Sequence, residues 1–200
     1  VFFDNHLSMD THIANVCRCM MFHLRSIAAI RSLLTGSATI QLVHSLVTSR
    51  LDYCNSLLYG LSDSLLRKLQ RIQNIAARIV TRSDRHCHIQ PILYDLHWLP
   101  VKFRISFKIL LFTFRSINGS APQYLTELIT PYIPHRSLRS SSKNLLVIPK
   151  VRLKSYGERC FIYAAAKEWN KLPDNLKLCV SIDSFKSNLK TYLFKLCFDC

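Results

Sequence analysis

Residues 51–80, LDYCNSLLYGLSDSLLRKLQRIQNIAARIV, decide how the chain is read. From Ser62 onward the apolar and basic residues separate at helical spacing. At about 100° per residue, Arg67, Arg71, Asn74, Arg78 and Arg82 share roughly a quarter of the circumference. Leu65, Leu69, Ile72, Ala76 and Ile79 take the other side and supply the burial. Gly60 stops the helix before it, and Ser62 starts this one. A helix with one oily face must lay that face on a neighbour.

The neighbours are upstream. Ser8 begins a helix with the apolar face Ile13, Val16, Met20, Leu24, Ile27 and Leu34, ending near Gly36. Ser37 begins a second through Ile40, Val43, Val47 and Leu51, reaching about Tyr59. Short links between the three predict antiparallel packed helices.

Downstream, SDRHCH reads as a polar loop and IQPILYDLHW as a short helix or turn closed by Pro100. A fourth helix is expected over 101–118, with Phe103, Phe107, Leu110, Phe114 and Ile117 on one stripe. Much of its remaining surface is apolar too, so it reads as the central buried element. Gly119 ends it, and Pro122 opens a short helix to about Ile129.

The character changes at Pro131. PYIPHRSLRSSSKN has the prolines, serines and basic groups of a linker. NLLVIPKVRLKSYG then reads as a small late β-hairpin, with Pro149 near its turn or on an edge. Helices are expected over 158–170 and again from Ser181 or Ser184, the last with Phe185, Leu189, Tyr192 and Leu196 inward. The expected class is mostly α, a helical bundle over 1–130 followed by a linker, a β element and C-terminal helices over 131–200.

The chain of 200 residues is 49% hydrophobic and 20% charged, a folding composition, not a disordered one. Its net charge is +15. Residues 61–115 hold ten Lys and Arg against three Asp and Glu, a balance of +7, whereas residues 1–60 balance to +1. A surplus this concentrated points to a polyanionic partner, nucleic acid before an acidic membrane surface. Arginine presents a fixed fork of donors that fits phosphate oxygens, and a row repeated every turn can follow a nucleic-acid backbone. The bland alternative is a solvated face balanced by acids, but only Asp63 and Asp84 lie near, both at the ends. Lys102, Arg104 and Lys108 extend the basic set, interleaved with Trp98, Phe103 and Phe107. The two phenylalanines read as core, and Trp98 is open between core and base stacking.

Eight cysteines in a chain this long, several among apolar residues, read as free core thiols in a reducing compartment. No metal site is expected. Cys197-Phe-Asp-Cys200 is a single pair without a partner pair, and His86-Cys87-His88 is too tight to chelate easily. Phosphoryl chemistry with two metals needs convergent carboxylates, and the nine aspartates are scattered with no adjacent pair. Phosphate loops, nucleophile elbows and zinc-protease motifs are missing as well. The expectation is a chain without catalytic residues. VFFDNHLSMD lacks the basic start and apolar run of a secretion signal, so an intracellular protein is expected. No apolar run approaches the length of a membrane span. An opening on Val1 in place of Met reads as a fragment of something longer.

HLRSIAAIRSLLT (23–35), the stretch from Ser49 to Val80, LHWLPVKFRISFKILLFTFRSINGSAPQYLTELI (96–129) and YGERCFIYAAAKEWNKLP (156–173) occur in an order and spacing that resembles one family. It is the region after the polymerase palm in jockey-type non-LTR (LINE-like) retrotransposon reverse transcriptases, and SIDSFKSNLKTYLF (181–194) resembles that family's terminus. The resemblance covers nearly the whole chain, with residues 1–8 similar to the last palm strand. It implies a polymerase thumb and the segment after it. The family's aromatic-x-Asp-Asp motif, and the divalent metal that it holds, would lie upstream in the palm, so no catalytic residue and no cofactor carries over. What the resemblance implies for this chain is a grip on a template–primer duplex of RNA and DNA through its backbone, beside the palm of a parent chain working in cytoplasm and nucleus. The alternative is a degenerate helical protein-interaction remnant with no nucleic-acid ligand.

Overall fold

The computed structural model describes residues 1–134, 144–153 and 155–198. Most of the expected linker, residues 135–143, and Cys200 of the C-x-x-C lie outside the described residues. Among those described the fold is mostly α, and the chain divides into two compact units: Val1–Arg104 with Leu196–Cys200, and Ile105–Lys195. The division falls inside a helix, whereas the sequence suggests a boundary at 130/131.

In the first unit, α1 spans Asp10–Ala29. Its entry is fixed by Asp4, whose carboxylate accepts from the backbone N–H groups of His6 (3.0 Å), Ser8 (2.8 Å) and Met9 (3.1 Å) and from the Ser8 hydroxyl (2.6 Å). Ser8 Oγ in turn accepts from Asp10 N–H at 3.3 Å. These bonds, the Ser8 hydroxyl first, hold the Asp4 carboxyl below its ordinary pKa. The cap expected from Ser8 is therefore shared, with Asp4 taking the larger part. His12, Ile13, Met20, Leu24 and Ile27 are buried along the helix.

α2 (Gly36–Val43) is capped by Thr35 Oγ1, which accepts from Ala38 N–H at 3.2 Å. The helix widens into a π-turn over His44–Thr48 and resumes as α3, Ser49–Asp52. The apolar spacing explains the widening. Val43, Val47 and Leu51 recur every four residues, which drifts around an α-helix of 3.6 residues per turn. One wide turn cancels the drift, and all three are buried. The expected continuous helix to Tyr59 stops at Tyr53, and a 3₁₀ turn covers Asn55–Leu58. Cys54 enters that turn with a left-handed φ of 52°.

α4 (Asp63–Thr81) packs on α1, α2 and α5, the last spanning Ile89–Asp95. Trp98 is buried, its ring meeting His44 edge to face at 5.6 Å, so it belongs to the core.

α6 spans Val101–Ile117. Ile105, Ile109, Leu110, Thr113 and Phe114 are buried, Phe103 and Phe107 are half-buried, and Ile117 is 42% exposed. The inner face is thus rotated from the expected stripe. A helix apolar on nearly every side does not select a face by pattern, so its packing partners do.

In the second unit, Gly119 ends α6 with a φ of +64°, and α7 is the short turn Gln123–Thr126. α8 spans Phe161–Asn170, α9 Asp174–Lys177 and α10 Ile182–Phe198, the last running past Lys195 out of this unit. Phe114 and Phe185 stack with centroids 4.1 Å apart, and Trp169 lies 6.0 Å from Phe185. The inner face of α10 is Phe185, Leu189 and Leu193, and Leu196 is exposed, against the expectation of Tyr192 and Leu196.

The expected late hairpin is not present among the described residues. Its first half is extended but pairs elsewhere: Pro131 and Leu146 form an isolated antiparallel bridge. Tyr132 N–H donates to Leu145 O at 2.8 Å and Val147 N–H to Thr130 O at 2.9 Å. On the other side, Leu146 N–H donates to Asn170 Oδ1, and Asn170 Nδ2 donates to Leu146 O, both at 2.9 Å. One side-chain amide therefore fills the place of a partner strand. Past Pro149, which has no N–H to offer a ladder, Val151 packs on Gly157 so closely that a Cβ there would sit 2.7 Å from Val151 Cβ.

Candidate nucleic-acid interface

α4 presents the arginines because its burial is one-sided. Leu65, Leu69, Ile72, Gln73, Ala76, Ala77 and Val80 face inward, a face shifted slightly from the expected one, since Ile79 is only half-buried. Arg67 and Arg71 stand exposed on the opposite side. Arg67 Nε donates to Asp63 backbone O at 3.2 Å, which leaves the rest of its fork open. Among the described residues, none of Arg67, Arg71, Arg78 and Arg82 forms an ion pair with a carboxylate. Exposed Lys68 adds a cation beside Arg67 that the stripe did not include.

Toward the C-terminal end the arginines turn to structure. Arg78 is half-buried; Nη2 donates to Cys87 O at 3.1 Å, and its enclosed Nε has no partner. It holds the loop in which Asp84 Oδ1 accepts from His86 N–H at 3.1 Å. Arg82 lies one residue past the helix in the left-handed conformation (φ 55°, ψ 30°), so it leaves the helical register that the sequence assigned to it. Its Nη2 donates to Arg31 O at 3.1 Å. Arg31 replies: Nε and Nη2 donate to Ile79 O (2.8 Å) and Val80 O (2.9 Å), and Nη1 donates to Leu34 O (2.9 Å). A guanidinium thus satisfies carbonyls that the last turn of α4 leaves open, at the negative end of its dipole.

Two glutamines of α4 fix the start of α6. Gln73 is buried and Nε2 donates to Leu99 O at 2.8 Å, while Gln70 Oε1 accepts from Val101 N–H at 2.9 Å. Gln70 Nε2 ties the pair together through Gln73 Oε1 at 3.0 Å and Asn74 Oδ1 at 2.8 Å. Lys102, exposed, follows directly after this clamp. Arg104 does not join it as an open cation. Its Nε and Nη2 donate to Asp52 Oδ1 (2.8 Å) and Oδ2 (2.6 Å), a two-pronged pair that neutralises both groups. Lys108 is half-buried in the second unit, with Nζ 6.0 Å from the centroid of the Phe112 ring.

Of the seven basic residues picked from the sequence, Arg67, Arg71 and Lys102 are exposed in the first unit without carboxylate partners. Arg78 and Arg82 are partly engaged, Arg104 is engaged, and Lys108 lies in the other unit. No signal in the periodicity marks Arg31 as the C-terminal clamp, because the carbonyls it satisfies are 48 and 49 positions away.

Cys54, Cys87 and Cys160 are exposed and Cys17 and Cys179 are half-buried, so they are not the core thiols expected. Burial pushes the half-buried Cys17 thiol above its ordinary pKa, and nearby Lys68 opposes this. Among the described residues no three His, Cys, Asp or Glu side chains gather as a metal site, and no helix is long and apolar enough to cross a membrane. Comparison with protein-family models, curated proteins and solved structures finds no match to this chain.

Proposed function

We propose that this chain is the thumb and post-thumb part of a non-LTR retrotransposon RNA-directed DNA polymerase, gripping RNA–DNA or another duplex by its phosphates without catalysing anything itself. The observation that carries the reading is the exposed face of α4, where Arg67 and Arg71 meet no carboxylate. Lys68 and Lys102 add charge in the same unit, and the ordered likeness of several long sequence segments to that family supplies the biological setting. In that setting the catalytic carboxylates and their divalent metal belong to a palm elsewhere in the parent chain, and the work is done in cytoplasm and nucleus.

The contact is electrostatic, so binding falls steeply with salt and varies little with sequence. Anisotropy of a labelled RNA–DNA duplex against salt tests it, comparing the parent with Arg67→Glu/Arg71→Glu. Two lost phosphate contacts reduce the slope of log affinity against log salt by about 2. Equal affinity and equal slope would remove the proposal. Arg78 and Arg82 are left intact because they also hold backbone.

One observation favours the other reading, a protein-interaction remnant. Phe22 (66% exposed) and Leu33 (84%) are large apolar side chains left uncovered in the first unit. Concentration-dependent light scattering with hydrophobic-dye binding, and no duplex affinity, is its signature.

A further inference from the structure

A cavity of about 480 Å³ in the first unit has none of the α4 arginines in its lining. Its walls come from the N-terminal coil, from α1 and from the residues around the end of α3. That volume falls within the roughly 300–1,000 Å³ usual for small-molecule sites. Its chemistry is mixed in a particular way. Phe2 (59% exposed) and Tyr53 (67%) bring flat aromatic surface. Arg50 brings an exposed guanidinium, Asn15 a half-buried amide and His12 a buried imidazole.

These polar groups are not otherwise engaged. Neither Arg50 nor Asn15 makes a side-chain hydrogen bond or ion pair among the described residues. His12 Nδ1 is enclosed and has no partner. Burial holds that imidazole below its ordinary pKa. Buried polar atoms normally find partners, and leaving one without costs about 1–3 kcal/mol. The contrast with Arg31 and Arg104, whose forks are filled from within the chain, is sharp.

We propose that this cavity takes an unpaired nucleotide of a nucleic-acid strand. The proposal rests on the nucleic-acid reading above and deepens it. Tyr53 and Phe2 stack on the base, Arg50 meets its phosphate, and Asn15 faces its hydrogen-bonding edge, with the His12 imidazole in the wall behind. The alternative occupant, an aromatic side chain of a protein, would use the two rings but leave the guanidinium and amide as they are. A nucleotide engages all three kinds of group at once.

The test compares a blunt RNA–DNA duplex, the same duplex with a short single-stranded overhang, and a free single-stranded hexanucleotide, all labelled. The overhang duplex is expected to bind about tenfold tighter than the blunt one, toward the low end of what one base–aromatic stack supplies. Arg50→Ala/Tyr53→Ala removes that increment and weakens the hexanucleotide similarly, leaving blunt-duplex affinity unchanged. Both residues are exposed, so circular dichroism should show an intact fold. Asn15→Asp, which keeps the size and adds a negative charge, loses the increment too.

If overhang and blunt duplexes bind alike while blunt binding remains salt-sensitive, the cavity proposal is overturned and the arginine face stands. If the hexanucleotide binds and is lost in the variants but the blunt duplex never binds, the arginine face falls and the cavity stands. Binding of neither overturns both. An increment that survives in the variants, or variants that alter only self-association, also overturn it, the latter in favour of a protein occupant.

Discussion

The two ends of α4 use the same side chain in opposite ways. At its N-terminal half Arg67 and Arg71 stand in solvent and, among the described residues, form no ion pair with a carboxylate. At its C-terminal end Arg31, Arg78 and Arg82 donate to Cys87, Leu34, Ile79, Val80 and Arg31 carbonyls. For Arg31 the difference follows from the helix itself, whereas Arg78 and Arg82 donate to carbonyls of the loop after α4 and of Arg31. The last turn of α4 leaves carbonyls without intrahelical partners, and a guanidinium that reaches them becomes structure. Its middle turns leave none, so an arginine there on the solvent side stays available to a ligand.

The sharpest way to break this contrast is Arg31→Ala. Three charge-assisted bonds and a favourable dipole contact disappear, and stability is expected to fall by about 3 kcal/mol in chemical denaturation. The folded fraction should bind duplex as before. Arg104→Ala removes the two-pronged pair with the partly exposed Asp52, and a loss of about 1–2 kcal/mol is expected. Thermal unfolding reads it out. Arg71→Ala is the counterpart: stability within about 0.5 kcal/mol of the parent, with duplex affinity reduced. An Arg71 variant that unfolds like Arg31→Ala would erase the distinction between the two ends.

The acids allow the same contrast to be sharpened by pH. Asp4 is engaged at the entry of α1, whereas Asp63 on α4 is exposed and makes no ion pair. Because the Asp4 carboxyl is held below its ordinary value of 3.8, its stabilising contribution is present above that value and is lost as pH falls through the lower folded pKa. Asp4→Asn should therefore be less stable than the parent at neutral pH, with the gap closing in acid. Unfolding midpoints at pH 7 and near pH 3 decide it.

How much was legible follows the same line. α4 could be read from the sequence because its apolar and charged residues take opposite faces; α1 was read on the right face but ends at Ala29 and not near Gly36, and α2 starts on the Thr35 cap and not on Ser37. α6 could not be oriented, since Phe103, Ile105, Phe107 and Ile109 offer apolar surface on several sides. The last helix was read with Tyr192 and Leu196 inward, where Leu193 packs. The π-turn was hidden in the four-residue spacing of Val43, Val47 and Leu51, and the hairpin was wrong because Asn170 holds Leu146 from 24 positions away. Of the candidate site, spacing located Arg67 and Arg71. It could not see that Arg104 meets Asp52 or that Arg50 lines a cavity, because both depend on how distant segments meet.

The amide of Asn170 has a consequence for assembly. An extended segment with bare N–H and C=O groups is a template on which another chain can lay a strand. At Leu146 both groups are already occupied from that side by a side chain that cannot propagate the ladder. Where a second strand would invite a third, a single amide closes the series, and β-type aggregation has no foothold at that residue while Asn170 stays in place.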